Sequence, residues 1–500
     1  MKSKIYYIGI SFFLVVLTGG CAKLDVENKN SPNTQRVLAT ADDLKGVVAG
    51  AFSSMYTIFG DNQNAYYANV NLEWTGDYIT MTNNVRAWWS QFKVEPRVSF
   101  NNTLAFADLS LSSRPYKQLH AAISSANDVI RAIEIEGKEV GTNGSENNMV
   151  LAAAYFVKGM SLGYLANTWD KAYVVAPTDD VKTVQLKDYK EVLAGALAAF
   201  DKVIQLTGSG SFTLPTNFIN TPAAYTNTQL GRLASTYAAN FIVQNARNRA
   251  ENTATDWNKV KAYTQNGLTQ DYIIKLDGAN WRNGIQEIAG LNWYWRTDHR
   301  IIRLLDPSYP KRFPAAASAT LPEATATDPR LNLYFKYEPS LSFFNLARGP
   351  QLRSHYRFAR YDALYNANGI GNAVFLYAYT NDLLRAEAAA MTNDLPTAIN
   401  ILNAGRRVTV GNRAPLPLTA TRDQVLEAIF SERDLELMLT DYAIHFKDMR
   451  RRDMLQKGTI LHFPVPADVL AVLKITPYTY GGESNADGKN TADGSNSWLN

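Results

Sequence analysis

Cys21 is the only cysteine in this chain of 500 residues, so whatever it folds into is held without a disulfide inside one molecule. The position of that cysteine is equally informative. Lys2 and Lys4 precede an apolar run from Ile5 to Leu17; Thr18, Gly19 and Gly20 follow, and then Cys21. A charged start, a short apolar core and small residues at the cut describe a secretory signal, and the run is shorter than the roughly 20 apolar residues of a spanning helix. A cysteine at the cut reads as the acylation site of an exported bacterial lipoprotein, with ordinary secretion as the alternative. Thr18 stands where such signals carry a large aliphatic residue, and Leu17 lies one further back. Residues 1–20 are therefore read as a signal peptide and 21–40 as acylated cysteine and tether. Asn28, Asn30, Ser31, Pro32 and Asn33 resist regular structure there. Residues 41–500 are read as one folded domain.

Without a covalent staple that domain needs a large apolar core. The 46% apolar and 19% charged content supply a globular composition. A net charge of +4 over this length leaves no nucleic-acid footprint. No second apolar stretch approaches spanning length, so the mature body is expected to be soluble and tethered only by its N-terminus.

Apolar residues recur mainly at the helical period. Helices are expected over 42–59, opened by Asp42 and Asp43; over 116–134, where Leu119, Ile123, Ala126, Ile130 and Ile133 step by three and four; over 148–167, apolar on most sides; and over 188–206. Helical pairs follow at 228–250 with 256–268 and at 373–391 with 396–409, then a helix over 421–440. Ala386, Ala398 and Gly405 take the relative spacing of the three small positions of a tetratricopeptide repeat, and Leu402 its large apolar position. Val260 and Gly267 keep the second-helix spacing in the earlier pair. Generic antiparallel packing also favours small crossing residues. The fold class expected is mainly α: a tetratricopeptide-like helical-pair scaffold with long irregular insertions near 60–114 and 270–372. The tail from Gly481 is read as a loop or a floppy end.

Few motifs suggest catalysis. Gly159-Met160-Ser161-Leu162-Gly163 matches the nucleophile-elbow string, but it lies in a helical stretch with no strand before it, so Ser161 reads as a packing residue. His120, His299, His355, His445 and His462 share no metal-ligand spacing. Asp487, Asn490 and Asp493 miss the EF-hand pattern, so calcium is unsupported and no cofactor is expected. A glycosidase needs two carboxylates flanking the bond, and Asp77, Asp108 and Asp298 lie in aromatic-rich loops. The aromatic residues are more telling: 27 Tyr, 21 Phe and 9 Trp, several in polar sequence. Flat aromatics pack on the C–H faces of sugar rings while nearby amides and carboxylates hold hydroxyls. Most tryptophans should be core, with a few partly exposed near one site.

Five strings in the right order then resemble the SusD/RagB nutrient-binding outer-membrane lipoproteins. Glu432-Arg433-Asp434-Leu435-Glu436-Leu437 followed by Phe446-Lys447-Asp448-Met449-Arg450-Arg451 resembles a signature block of that family. Phe463-Pro464-Val465-Pro466 is similar to the segment that follows it. Leu384-Arg385-Ala386-Glu387-Ala388 is similar to its repeat helix, and 42–56 to its first mature helix. Residues 440–445 lack the family's usual E-G-x-R.

The resemblance implies a non-catalytic protein. It implies a surface-exposed lipoprotein of the outer membrane that caps a SusC-like TonB-dependent transporter and hands over glycans or peptides. It places the ligand site in an early loop near 66–100 and a middle insertion near 280–300, where the looped tryptophans lie. The expectation is an oligosaccharide site with Trp88, Trp89, Trp281, Trp293 and Trp295 as ring platforms and Asp77, Asn84 and Arg296 as hydroxyl partners. Peptide capture on the same scaffold is the second reading, and a secreted glycosidase the third.

Overall fold

The periodic segments form helices, and local chemistry sets where they begin. In the computed structural model, which describes residues 38, 40–60, 67–81, 89–291, 293, 295–316, 319–342 and 344–500, Thr40–Asn500 forms one unit. The signal, Cys21 and residues 22–37 lie outside the described residues. Helices α1 (Ala41–Gly60), α2 (Tyr67–Thr75), α3 (Ser110–Glu134), α4 (Asn147–Thr168), α5 (Tyr189–Gly208), α6 (Asn227–Asn245), α7 (Trp257–Gln265), α8 (Ala378–Met391), α9 (Leu395–Ala404), α10 (Arg422–Glu436) and α11 (Ile444–Arg450) carry the core. Capping boxes open α5 (Asp188 with Glu191), α6 (Thr226 with Gln229) and α10 (Thr421 with Gln424). Each box satisfies two amides that the helix itself leaves without partners.

The helices pack in a ladder, α3 on α1, α4 on α3, α5 on α4, α6 on α5, α7 on α6, and then α8 on α7, with α9 and α10 closing on α8. At its centre is α4, buried on nearly every side. Its two glycines let aromatic rings approach. A Cβ on Gly159 would fall 2.9 Å from the Phe200 ring of α5, and one on Gly163 would fall 2.1 Å from the Phe241 ring of α6. Ser161 sits between them, fully buried in mid-helix. The elbow-like string is thus a helix-crossing motif. The same logic holds for the pair α8 and α9, where Ala386, Ala398 and Leu402 are buried together in one cluster.

The signature strings build a buried electrostatic frame. Arg433 of α10 meets Asp448 of α11 at 2.6 Å, and Arg451 joins Asp448 at 2.9 Å. The same Arg451 grips Glu387 of α8 at 2.5 and 2.9 Å. Asp434 receives two nitrogens of Arg300, at 2.6 and 3.1 Å. Glu432 and Glu436 both hold Arg330, at 2.8 and 3.1 Å. All these side chains are buried. Charges leave water only when paired, so α8, α10 and α11 and the insertion bearing Arg300 and Arg330 are locked by charge as well as by packing.

Three expectations need correction or refinement. Residues 67–75, read as irregular, form the buried helix α2. Its polar residues hid the period because they face a buried loop. Asn69 Oδ1 accepts from the Ala443 amide at 2.8 Å, and Glu73 accepts from His445 Nδ1 at 2.9 Å. That loop is the segment lacking E-G-x-R. Leu439, Asp441 and Ala443 all adopt positive φ near 50°, which costs an L-residue roughly 1–2 kcal/mol each. Hydrogen bonds from Tyr164 and Asn240 to Asp441, at 2.7 and 2.9 Å, hold it in place. The second, a mostly irregular 270–372, holds but is pinned by short antiparallel ribbons: β1 (Ile79–Met81) with β3 (Trp295–Thr297), β2 (Tyr272–Asp277) with β4 (Ile370–Leu376), and Phe335–Tyr337 with Tyr356–Phe358. The third is the tail. Trp498 Nε1 donates to Asp77 Oδ2 at 2.7 Å, and Asp487 Oδ1 accepts from the amides of Lys489, Asn490 and Thr491. The polar residues read as floppy are the turn formers of an ordered strap.

Candidate ligand-binding surface

The β1–β3 ribbon joins the early and middle segments, with Met81 opposite Trp295 and Thr80 opposite Arg296. Several proposed site residues meet there, but in the interior. Asp77 is 1% exposed and bonds to Lys93 Nζ at 2.5 Å, Arg97 at 3.2 Å, Gln456 at 2.7 Å and Trp498 at 2.7 Å. Burial pushes its carboxyl up, but Lys93, Arg97 and Arg312 outweigh this and hold it well below the usual range. Asp298 receives the same Lys93 at 2.7 Å and caps the helical turn His299–Leu305. These two carboxylates are therefore bridged by one buried ammonium. They do not flank an open cleft as a glycosidase pair must.

Trp295 and Arg296 are also interior, at 1% and 0% exposure. Arg296 lies 5.9 Å over the Phe344 ring and reaches the His355 carbonyl at 3.4 Å; burial lowers its pKa to about 10. The short strand β3 is buried on both faces, so the usual in–out alternation is absent and no residue of it is available as a platform. Asn84 and Trp88 lie outside the described residues; Trp89 opens the short helix Trp89–Phe92, and its side chain lies outside them too.

What reaches the surface is the segment between β2 and β3. Asp277 Oδ1 accepts from the amides of Ala279 and Trp281 at 2.8 Å each, folding a tight turn. The turn lays half-buried Trp281 on Tyr56 and Phe52 of α1, with ring centroids 5.1 and 6.0 Å apart. A Cβ on Gly60, the last residue of α1, would fall 1.7 Å from the Arg282 carbonyl oxygen, so only glycine lets the two segments touch. Arg282 Nε then pairs with Glu287 at 2.9 Å. Further along, a Cβ on Gly290 would fall 3.0 Å from Tyr365 Cβ and Cγ, and Trp293 is three residues on. Trp293 and Tyr365 are each 39% exposed. Large aromatics left in water at a turn are unusual for a core-forming residue type and mark a candidate contact surface. Tyr365 was not legible in advance, because nothing in the sequence at 360–370 separates it from the other tyrosines.

The histidines are structural. His120 and His299 are pushed down to about 4 by burial, and burial also lowers His355 and His462. His445 stacks on Tyr78 at 3.5 Å while bonding Glu73. Among the described residues no group of three or more His, Cys, Asp or Glu is placed to hold a metal ion.

No family model matches this chain. No curated protein matches it either. Solved structures do. A SusD superfamily protein from Bacteroides vulgatus is 17% identical with a TM-score of 0.60, covering 87% of this chain and 97% of its own. A second, from Parabacteroides distasonis, is 12% identical with a TM-score of 0.62, covering 87% and 98%. A SusD-like carbohydrate binding protein from Bacteroides vulgatus is 15% identical with a TM-score of 0.54, covering 84% of each chain. Over most of its length, then, this chain has the mainly helical fold of the SusD superfamily.

Proposed function

We propose that this protein is a non-catalytic, SusD/RagB-type nutrient-binding lipoprotein that holds an oligosaccharide at the cell surface and delivers it to a TonB-dependent outer-membrane transporter. The observation that carries the reading is that Trp293 and Tyr365, two large aromatics of the 270–372 insertion on a SusD-like scaffold, are each exposed. It is supported by one neighbour of the same fold being described as a carbohydrate binding protein. The Lys93 bridge between Asp77 and Asp298 weighs against a glycosidase.

Isothermal titration against a panel of neutral oligosaccharides and a protein digest tests the ligand class. Saturable binding of at least one oligosaccharide with no product release supports the proposal. Binding of the digest alone would shift the reading to peptides, and hydrolysis would overturn it. The anchor has its own test. Cys21→Ala should leave the protein in the soluble fraction with unchanged ligand affinity; membrane retention in cells lacking the transporter would contradict acylation at Cys21.

A further inference from the structure

A second site stands apart from the insertion, on the helical scaffold. A cavity of about 350 Å³ opens between α8, α10, the end of α11 and the turn Arg249–Thr253. Its lining is dominated by guanidinium groups: Arg249, Arg422, Arg451 and Arg452. Three carboxylates also line it, and two are already engaged. Glu387 is held by both terminal nitrogens of Arg451, and Glu427 by Arg452 at 3.0 Å. Asp423 makes no ion pair among the described residues.

The arginines are not equally occupied. Arg451 is largely committed, with Asp448, Glu387 and Asn252 taking four of its donors. Arg452 lies 3.8 Å above the Phe430 ring, with Arg451 4.9 Å from the same ring, so Phe430 orients both cations. Only one of the Arg452 terminal nitrogens meets a carboxylate. Arg422 reaches only the side-chain oxygen of Asn393, a neutral acceptor. The Arg249 side chain makes no ion pair among the described residues; its backbone amide donates to Asp453 at 3.0 Å. One cation without an anion, Arg422, a second, Arg249, whose charge acts only on the Asp453 carboxylate beside its own backbone, and a third with spare donors thus line one half-enclosed cavity, against a single uncommitted carboxylate. A planar guanidinium presents paired donors matched to the spacing of oxyanion oxygens.

We propose that this cavity binds a compact oxyanion, a sulfate, phosphate or carboxylate group, gripped by Arg249, Arg422 and Arg452. The site is independent of the oligosaccharide reading, since it shares no residue with the Trp293 surface. The group would arrive either as a free inorganic ion or as a substituent on a larger ligand.

Calorimetric titration with sodium sulfate, against sodium chloride at matched ionic strength, tests it. Saturable sulfate binding that chloride does not reproduce is expected. The variant carrying Arg249→Ala and Arg422→Ala should weaken it by about tenfold or more with the melting temperature unchanged, because neither side chain is part of the buried frame. Asp423→Asn should tighten it severalfold. A sulfated disaccharide that binds more tightly than both sulfate and its neutral parent identifies a ligand-borne group; equal affinity for sulfate and the sulfated sugar identifies the free ion. Sulfate indistinguishable from chloride, or an isotherm unmoved by both the double variant and Asp423→Asn, would overturn the proposal.

Discussion

Replacing Arg451 by methionine should cost more stability than almost any other single change to this protein. Methionine keeps an unbranched stem of similar reach and removes only the charged head. That head meets Glu387 at 2.5 and 2.9 Å, Asp448 at 2.9 Å and Asn252 at 2.9 Å, all with no exposed surface on Arg451 or Glu387. Asp448 keeps Arg433 at 2.6 Å, so its loss is partial. Glu387 keeps no cation, because no other ion pair reaches it among the described residues. A buried carboxylate stranded in this way costs about 3–5 kcal/mol. Removing both members should cost less than the sum of the single changes, since Glu387→Met in the Arg451→Met background deletes the stranded charge. The coupling should be about 2 kcal/mol or more. Urea denaturation followed by far-ultraviolet circular dichroism gives the midpoint shift, and a constant slope confirms comparable unfolding. If Arg451→Met lost under about 1 kcal/mol, or if the two changes were additive, the pair would not bear the load assigned to it.

Two further outcomes follow from buried groups. His120 and His299 titrate near 4 when folded and near 6.5 when unfolded, so between those values the unfolded chain binds protons that the folded one does not. Stability should therefore fall as pH drops from 6.5 towards 4, by about 1.4 kcal/mol per unit for each such group, and His120→Gln should flatten the slope measured by denaturation at stepped pH. Trp498→Phe deletes one donor to the buried Asp77 carboxylate and should cost about 1.5–3 kcal/mol in the same assay; a change within error would mean that the C-terminal strap is not part of the folded core.

The helical scaffold was legible because apolar period, small crossing residues and caps all point the same way. Leu119 to Ile133 on α3 and Ala386 with Ala398 on α8 and α9 needed no tertiary information. The signature strings located the frame but not its chemistry: Glu432 and Asp434 are partners of Arg330 and Arg300, over 100 positions away, and sequence cannot pair them. Buried polar residues defeated the reading elsewhere. Asn69 and Glu73 look like loop residues until the strained 439–443 backbone and His445 give them partners. The surface was hardest. Trp293 and Trp295 are two positions apart, yet strand β3 buries one while the turn before it exposes the other. No propensity separates an Asp beside Trp that binds hydroxyls from Asp77, which Lys93 neutralises in the core.

The central claim is that the exposed aromatics of the insertion form a sugar platform. Titration of the best-binding oligosaccharide into the wild type, Trp293→Ala and Tyr365→Ala tests it directly, with Trp295→Phe as an interior control. The account predicts that each surface change weakens binding by about tenfold or more with the melting temperature unchanged, while the control retains affinity. Full affinity in both Trp293→Ala and Tyr365→Ala would contradict it.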